Sequence, residues 1–162
     1  MAVSHYHLDH VGQAGSFPHA TLIIGADDWA AMQDGNRPAL ADVDALAPWL
    51  TGGGAVQVVE GDLDIFGDGS AVMFDTRGHT HGHKSLLVRL PRKGPVLLTG
   101  DLYHSRRNYE AGDVSAGNLS RADSLASMDR FKRSAQTLHA TVIIGHEAGD
   151  ISKLPAFPKA AD

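Results

Sequence analysis

No cysteine occurs in the 162 residues, and that one absence excludes disulfides, thiolate metal sites and cysteine nucleophiles together. Any metal this chain holds is held by nitrogen and oxygen. Excess charge is also scarce: the formal net charge is −5, and the lysines and arginines are scattered instead of gathered into a basic stripe with interleaved aromatics. Such a surface argues against nucleic acid as a partner. No apolar run approaches the roughly 20 residues needed to span a bilayer, and the N-terminus lacks the basic and apolar regions of a signal peptide. The expectation is a cytoplasmic protein with no membrane partner, a removed upstream leader aside. Repeats and low-complexity segments are missing too, and the length suits one domain over residues 1–162 with enough apolar content for a core.

Histidine is what the sequence has in excess. Six of its ten histidines fall in two short clusters, SHYHLDH at 4–10 and GHTHGH at 78–83. Around them, short β-branched and aliphatic runs read as strands: ATLIIG (20–25), AVQVVE (55–60), LDIFG (63–67), AVMFDT (71–76), KSLLVRL (84–90), GPVLLTG (94–100) and ATVIIG (140–145). The turn Asp68-Gly69-Ser70 predicts a hairpin between the third and fourth runs, and ADDWAAMQ (26–33) predicts a short helix after a strand. The clearest helix starts from Ser120 as N-cap, with Asp123 completing a capping box. Its apolar stripe is Leu125, Met128, Phe131, Ala135 and Leu138, read as core. Residues 34–54 read as a surface excursion with one or two helical turns, and ISKLPAFPKAAD as an irregular tail. Alternating strands and helices give an α/β or α+β class.

Four pieces carry chemistry. In H-x-H-x-D-H, His5 and His7 lie two residues apart, so in an extended segment both rings point to one side and can share a metal; Asp9 and His10 then need the chain to turn toward a second ion. In the second cluster His79 is the best ligand candidate, since Gly78 permits a tight turn. His83 is read as orienting the loop or a ligand through a hydrogen bond, and His81 as an exposed loop histidine. Asp101 follows an apolar strand and a glycine, where a buried carboxylate is costly unless a cation pairs with it, and its two oxygens could bridge two ions. Taken alone it would be read as a helix N-cap or as an ion-pair partner of Arg106 or Arg107. His146 repeats the pattern of strand, glycine, ligand-type residue. The seven donors His5, His7, Asp9, His10, His79, Asp101 and His146 suit two divalent ions, zinc first, with iron, cobalt or manganese as alternatives.

The order SHYHLDH, GHTHGH, TGD, GHE resembles the metallo-β-lactamase superfamily of binuclear hydrolases, and within it the N-acyl homoserine lactonase-like branch. The resemblance runs from Val3 to about Phe157, including EGDLDIF before and KSLLVRL after the second cluster. It implies an αβ/βα sandwich, with His5, His7 and His79 on one ion, Asp9, His10 and His146 on the other, and Asp101 bridging. Asp101 argues against the β-lactamases themselves, which usually lack that bridge. Lactonases of this type place a tyrosine shortly after the bridging aspartate to bind the substrate carbonyl; His104 holds the matching position here, with Tyr103 beside it. By the same resemblance only Ala2-Val3-Ser4 remains of the strand leading into the first motif. The expectation is a truncated sandwich with an uncovered layer: a fragment, a misassigned start, or a chain completed as a homodimer by a second copy.

The implied reaction is attack by a metal-held hydroxide on a lactone or ester carbonyl, with Asp9 or Asp101 relaying the proton, most simply the ring opening of an N-acyl homoserine lactone. A glyoxalase II-like thioester hydrolase would carry the same ligands, and a catalytically inactive metal-binding fragment would keep them in an open pocket.

Overall fold

The protein is described by a computed structural model that covers residues 1–156 and 158–162. Phe157, where the resemblance ends within the proline-containing tail, lies outside the described residues. Among the described residues there are seven strands: β1 (Leu22–Gly25), β2 (Val56–Val59), β3 (Leu63–Asp64), β4 (Ala71–Asp75), β5 (Lys84–Leu90), β6 (Gly94–Leu98) and β7 (Thr141–Ile143). The helices are α1 (Leu8–Val11), α2 (Ala26–Gln33), α3 (Val43–Leu50), α4 (Arg106–Ala111) and α5 (Arg121–Thr137). Among the described residues no helix is long and apolar enough to cross a membrane.

Strand alternation sorts the apolar side chains into three layers of contact. β1 and β2 pair in parallel, with Ala2 bridging to Ile23 on the outer edge. One face of this small sheet, Leu22 and Ile24, packs with Met32 of α2 and Leu46 and Trp49 of α3. Its other face, Ile23 and Val59, meets Met73 and Leu86 of a second sheet, ordered β3-β4-β5-β6-β7. That sheet is antiparallel as far as β6, and β7 joins β6 in parallel after the crossover through α5. Its far face, Leu87, Leu97 and Val142, is covered by Met128, Phe131 and Ala135 of α5. Helices, sheet, sheet and helix thus stack as the αβ/βα sandwich that the resemblance implies. An apolar cavity of about 300 Å³ opens between Ala2–Ser4 and the second sheet, lined by Met73, Leu86, Leu98 and Ile143 and backed by His10.

The hairpin is present, but LDIFG is strand only at Leu63–Asp64: the Asp64 carboxylate accepts from the Gly67 and Gly69 N–H groups and draws the chain into its turn. At α5, Ser120 Oγ accepts from the Asp123 N–H at 3.3 Å, while the Ser120 N–H donates to the Gly78 carbonyl and not to an acidic side chain. The stripe also needs correcting at its start. Leu125 is 43% exposed, and Ser124 and Ser127 are buried in its stead, each hydrogen-bonded to backbone. The excursion at 34–54 contains two turns of helix, α3, capped by Asp42 Oδ1 accepting from the Ala45 N–H. Helix α4, which the sequence reading lacked, is a short element capped by Ser105 and closed by Gly112 in the left-handed region (φ 72°).

Candidate metal centre

The seven donors come from five separate places and meet at one end of the sandwich. His5 and His7 leave the edge of the small sheet in extended conformation, His7 having φ −66° and ψ 149° as it enters α1. The turn of α1 then swings Asp9 and His10 back toward the second sheet. His79 lies in the β4–β5 loop, Asp101 in the 3-10 turn after β6, and His146 just past β7. The donor atoms fall into two groups, His5, His7, His79 and Asp101, and Asp9, His10, Asp101 and His146; within each, one donor atom per residue lies within 4.8 Å of the others. Asp101 belongs to both, through different oxygens. Its Oδ2 is 3.4 Å from His79 Nε2, and its Oδ1 is 3.1 Å from His10 Nε2 and 3.2 Å from His146 Nε2. Asp9 Oδ2 closes the second group, 3.3 Å from His146 Nε2.

In the first group, His5 Nε2 and His79 Nε2 lie 3.0 and 3.1 Å from His7 Nδ1. Burial pushes the pKa of all three imidazoles down, with neighbouring histidines adding to the effect, so the rings are held neutral. Asp101 is pushed the other way: burial would raise its pKa, but the neighbouring imidazoles, His10 and His104 first, outweigh it and hold the carboxyl well below the usual range. His10 is likewise pulled down by burial, yet Asp101 and Asp9 leave it raised.

A divalent cation fits this arrangement on two observations. His10 Nε2 and Asp101 Oδ1 are buried and 3.1 Å apart, with His146 Nε2 also near the carboxylate oxygen, yet neither atom makes a hydrogen bond among the described residues. Unmet buried polar atoms of this kind cost free energy unless something satisfies them. Convergent imidazole nitrogens and carboxylate oxygens are what borderline divalent metals take.

The far nitrogens of several rings are braced. Ser4 Oγ lies 3.0 Å from His5 Nδ1 and 3.2 Å from His10 Nδ1, and Asn118 Oδ1 lies 3.1 Å from His79 Nδ1. Gly78 makes the His79 turn at φ +135°, with the backbone of Ser124 where a side chain would go. His83 orients as its place suggests: its Nε2 accepts from the Asp101 N–H at 2.9 Å and its Nδ1 donates to the Thr76 carbonyl. Complete burial pushes its pKa down to about 3 and keeps it neutral. His81 is exposed.

Two readings need correcting. Tyr103 is fully buried in the α5-side core, its hydroxyl donating to the Met128 carbonyl at 3.2 Å, so it is closed to a substrate. Asp101 pairs with neither Arg106 nor Arg107; Arg106 is bound instead to Asp150. His104 does face the centre, with Nε2 3.3 Å from Asp101 Oδ2 and its ring stacked on His146 at 5.7 Å. Ser4, Asn118 and Asp28, which holds the β4–β5 loop, have no place in the sequence reading.

A family profile described as the metallo-beta-lactamase superfamily matches residues 2–146. An N-acyl homoserine lactonase AttM of Rhizobium radiobacter is 32% identical over 173 residues, covering 95% of this chain and 61% of its own. An N-acyl homoserine lactonase of Bacillus sp is 28% identical, covering 96% and 58%. The chain therefore spans about three fifths of the length of the curated relatives it matches. Among solved structures, an N-acyl homoserine lactone hydrolase with the product N-hexanoyl-L-homoserine at its catalytic metal centre superposes with a TM-score of 0.83 at 23% identity, over 99% of this chain and 60% of that one. AidC, a dizinc quorum-quenching lactonase, does so with a TM-score of 0.69 at 18% identity, over 91% and 56%.

Proposed function

Because the chain belongs to the metallo-beta-lactamase superfamily, we propose that it is a dinuclear zinc-dependent hydrolase that opens the ring of an N-acyl homoserine lactone. The observation that carries this reading is the pair of ligand groups sharing Asp101. The similarity to curated N-acyl homoserine lactonases supplies the substrate class.

In this reading His5, His7, His79 and Asp101 would hold one ion, and Asp9, His10, His146 and Asp101 would hold the second. Divalent ions held there supply Lewis acidity toward a carbonyl and a lowered pKa for water. The chain's own groups do the rest. Asp101, buried and negative, fixes the spacing of the two halves. Asp9, with 47% of its side chain exposed, stands at the mouth and is placed to take a proton from water and pass it to the departing alkoxide. His104, partly exposed beside Asp101, takes the part that Tyr103 cannot, presenting an N–H to the substrate carbonyl.

Purified protein loaded with zinc or cobalt should hydrolyse N-acyl homoserine lactones in preference to thioesters and β-lactams. Thioester turnover with no lactone turnover would overturn the substrate class. Chelation should abolish turnover and lower the melting temperature, since deprotonated ligands gather only in the fold.

A further inference from the structure

Asp28 is a fully buried carboxylate in the first turn of α2, and it touches no candidate ligand. Both of its oxygens are engaged by the β4–β5 loop. Oδ2 accepts from Thr80 Oγ1 at 2.8 Å and Oδ1 accepts from the Gly82 N–H at 2.7 Å. Those two residues follow His79 and precede His83, the ring that receives the Asp101 N–H.

The fit around this contact leaves no slack. A β-carbon on Gly82 would lie 2.5 Å from the Asp28 nitrogen, and one on Gly25 would lie 1.9 Å from the Gly82 carbonyl oxygen. The loop is pressed against the start of α2 on this side, while on the other its Gly78 and His79 carbonyls accept from the Ser120 and Leu119 N–H groups. Asn118, from the same segment, holds His79 Nδ1. One side of the loop is thus fixed through the His79 ring, and the opposite side through a carboxylate that could have been left in water.

Burying a carboxylate costs free energy that two hydrogen bonds to neutral donors only partly return. An apolar residue in its place would leave the Thr80 hydroxyl and the Gly82 N–H without these acceptors. We propose that Asp28 is a positioning residue for the metal centre: by holding Thr80 and Gly82 it sets the path of the β4–β5 loop and so the aim of His79 and the His83–Asp101 contact. This rests on the metal-centre reading given above.

The test is cobalt binding by chelator competition, with the visible d–d spectrum and the circular dichroism of the metal-free protein recorded alongside. Asp28→Ala should keep the metal-free circular dichroism, lower cobalt affinity by about 10-fold or more and shift the d–d bands, within the range known for outer-sphere partners. Asp28→Asn keeps an acceptor for Gly82 and offers an N–H to the Thr80 oxygen, so it should restore both affinity and spectrum. Thr80→Val removes one of the two bonds and should give a smaller loss. Unchanged affinity and spectrum in Asp28→Ala and Thr80→Val would overturn the proposal, as would unfolding of both metal-free variants, since Asp28 would then serve folding alone. Failure of the unaltered protein to bind cobalt at all would instead sink the metal-centre reading.

Discussion

The two ligand groups share Asp101 but are built differently. His5 and His79 have side chains 0% and 6% exposed, and each is held at its far nitrogen, by Ser4 and Asn118. Asp9 and His146 have side chains 47% and 42% exposed; His146 stacks on His104, and its Nε2 lies 3.3 and 3.2 Å from Asp9 and Asp101. The first group is pre-organised by packing and hydrogen bonds, whereas the second has one firm member, His10. A site whose ligands are locked in place loses less entropy on binding, so the buried half should fill first and the exposed half should exchange faster.

Removing what the halves have in common should do the most damage. Asp101→Asn is expected to lower kcat/KM by more than about 100-fold, beyond the usual cost of an outer-sphere loss, and to reduce bound metal below two equivalents by elemental analysis. Separating the halves comes next. His79→Ala should leave the protein with the looser equivalent only, and His146→Ala should keep one tightly held equivalent; equal chelator resistance in the two variants would erase the contrast. A milder probe is Asn118→Ala, which frees His79 Nδ1 without touching a ligand. It should weaken the tighter site by about 10–100-fold and leave the weaker site unchanged.

The smallest effect concerns pH. Burial raises the Asp28 pKa to about 6 from 3.8, although the Thr80 and Gly82 bonds and the charges of Lys84 and His81 lower it. The folded state binds this proton more tightly than the unfolded state. The contribution of Asp28 to stability is therefore full below about pH 4 and is lost as pH rises toward 6, by roughly 3 kcal/mol at most (2.2 pKa units at about 1.36 kcal/mol each). Urea titrations of the metal-free protein should show the wild type losing stability relative to Asp28→Asn across that window, with no further divergence above it.

The parts of this centre that the sequence discloses are those written locally. An H-x-H spacing, a Gly before His79, and apolar strands ending in Gly-Asp or Gly-His all place a donor by its own neighbourhood, and the structure gathers those donors. The braces are a different matter. Asn118 reaches His79 across 39 positions and Asp28 reaches Gly82 across 54, so no periodicity or cap marks either one. Tyr103 and His104 show the limit from the other side: adjacent residues after a 3-10 turn point to opposite environments, and only the packing against Phe131 and Met128 decides which ring is buried. In the fold, each apolar run contains a strand, although LDIFG keeps only Leu63–Asp64 of its length. Leu125 misleads because Ser124 and Ser127 find hydrogen-bond partners that let polar residues take the inward face.

The donors are strung out from His5 to His146, and β7, which delivers the last of them, pairs with β6 only after α5 has crossed the sheet. On the ribosome, then, the first histidines emerge long before their partners exist, and no nascent intermediate can present the full cage. In the reading proposed above, the site of His5, His7, His79 and Asp101 has all its donors before β7 exists, whereas the site that needs His146 would take its ion only once β7 has paired with β6.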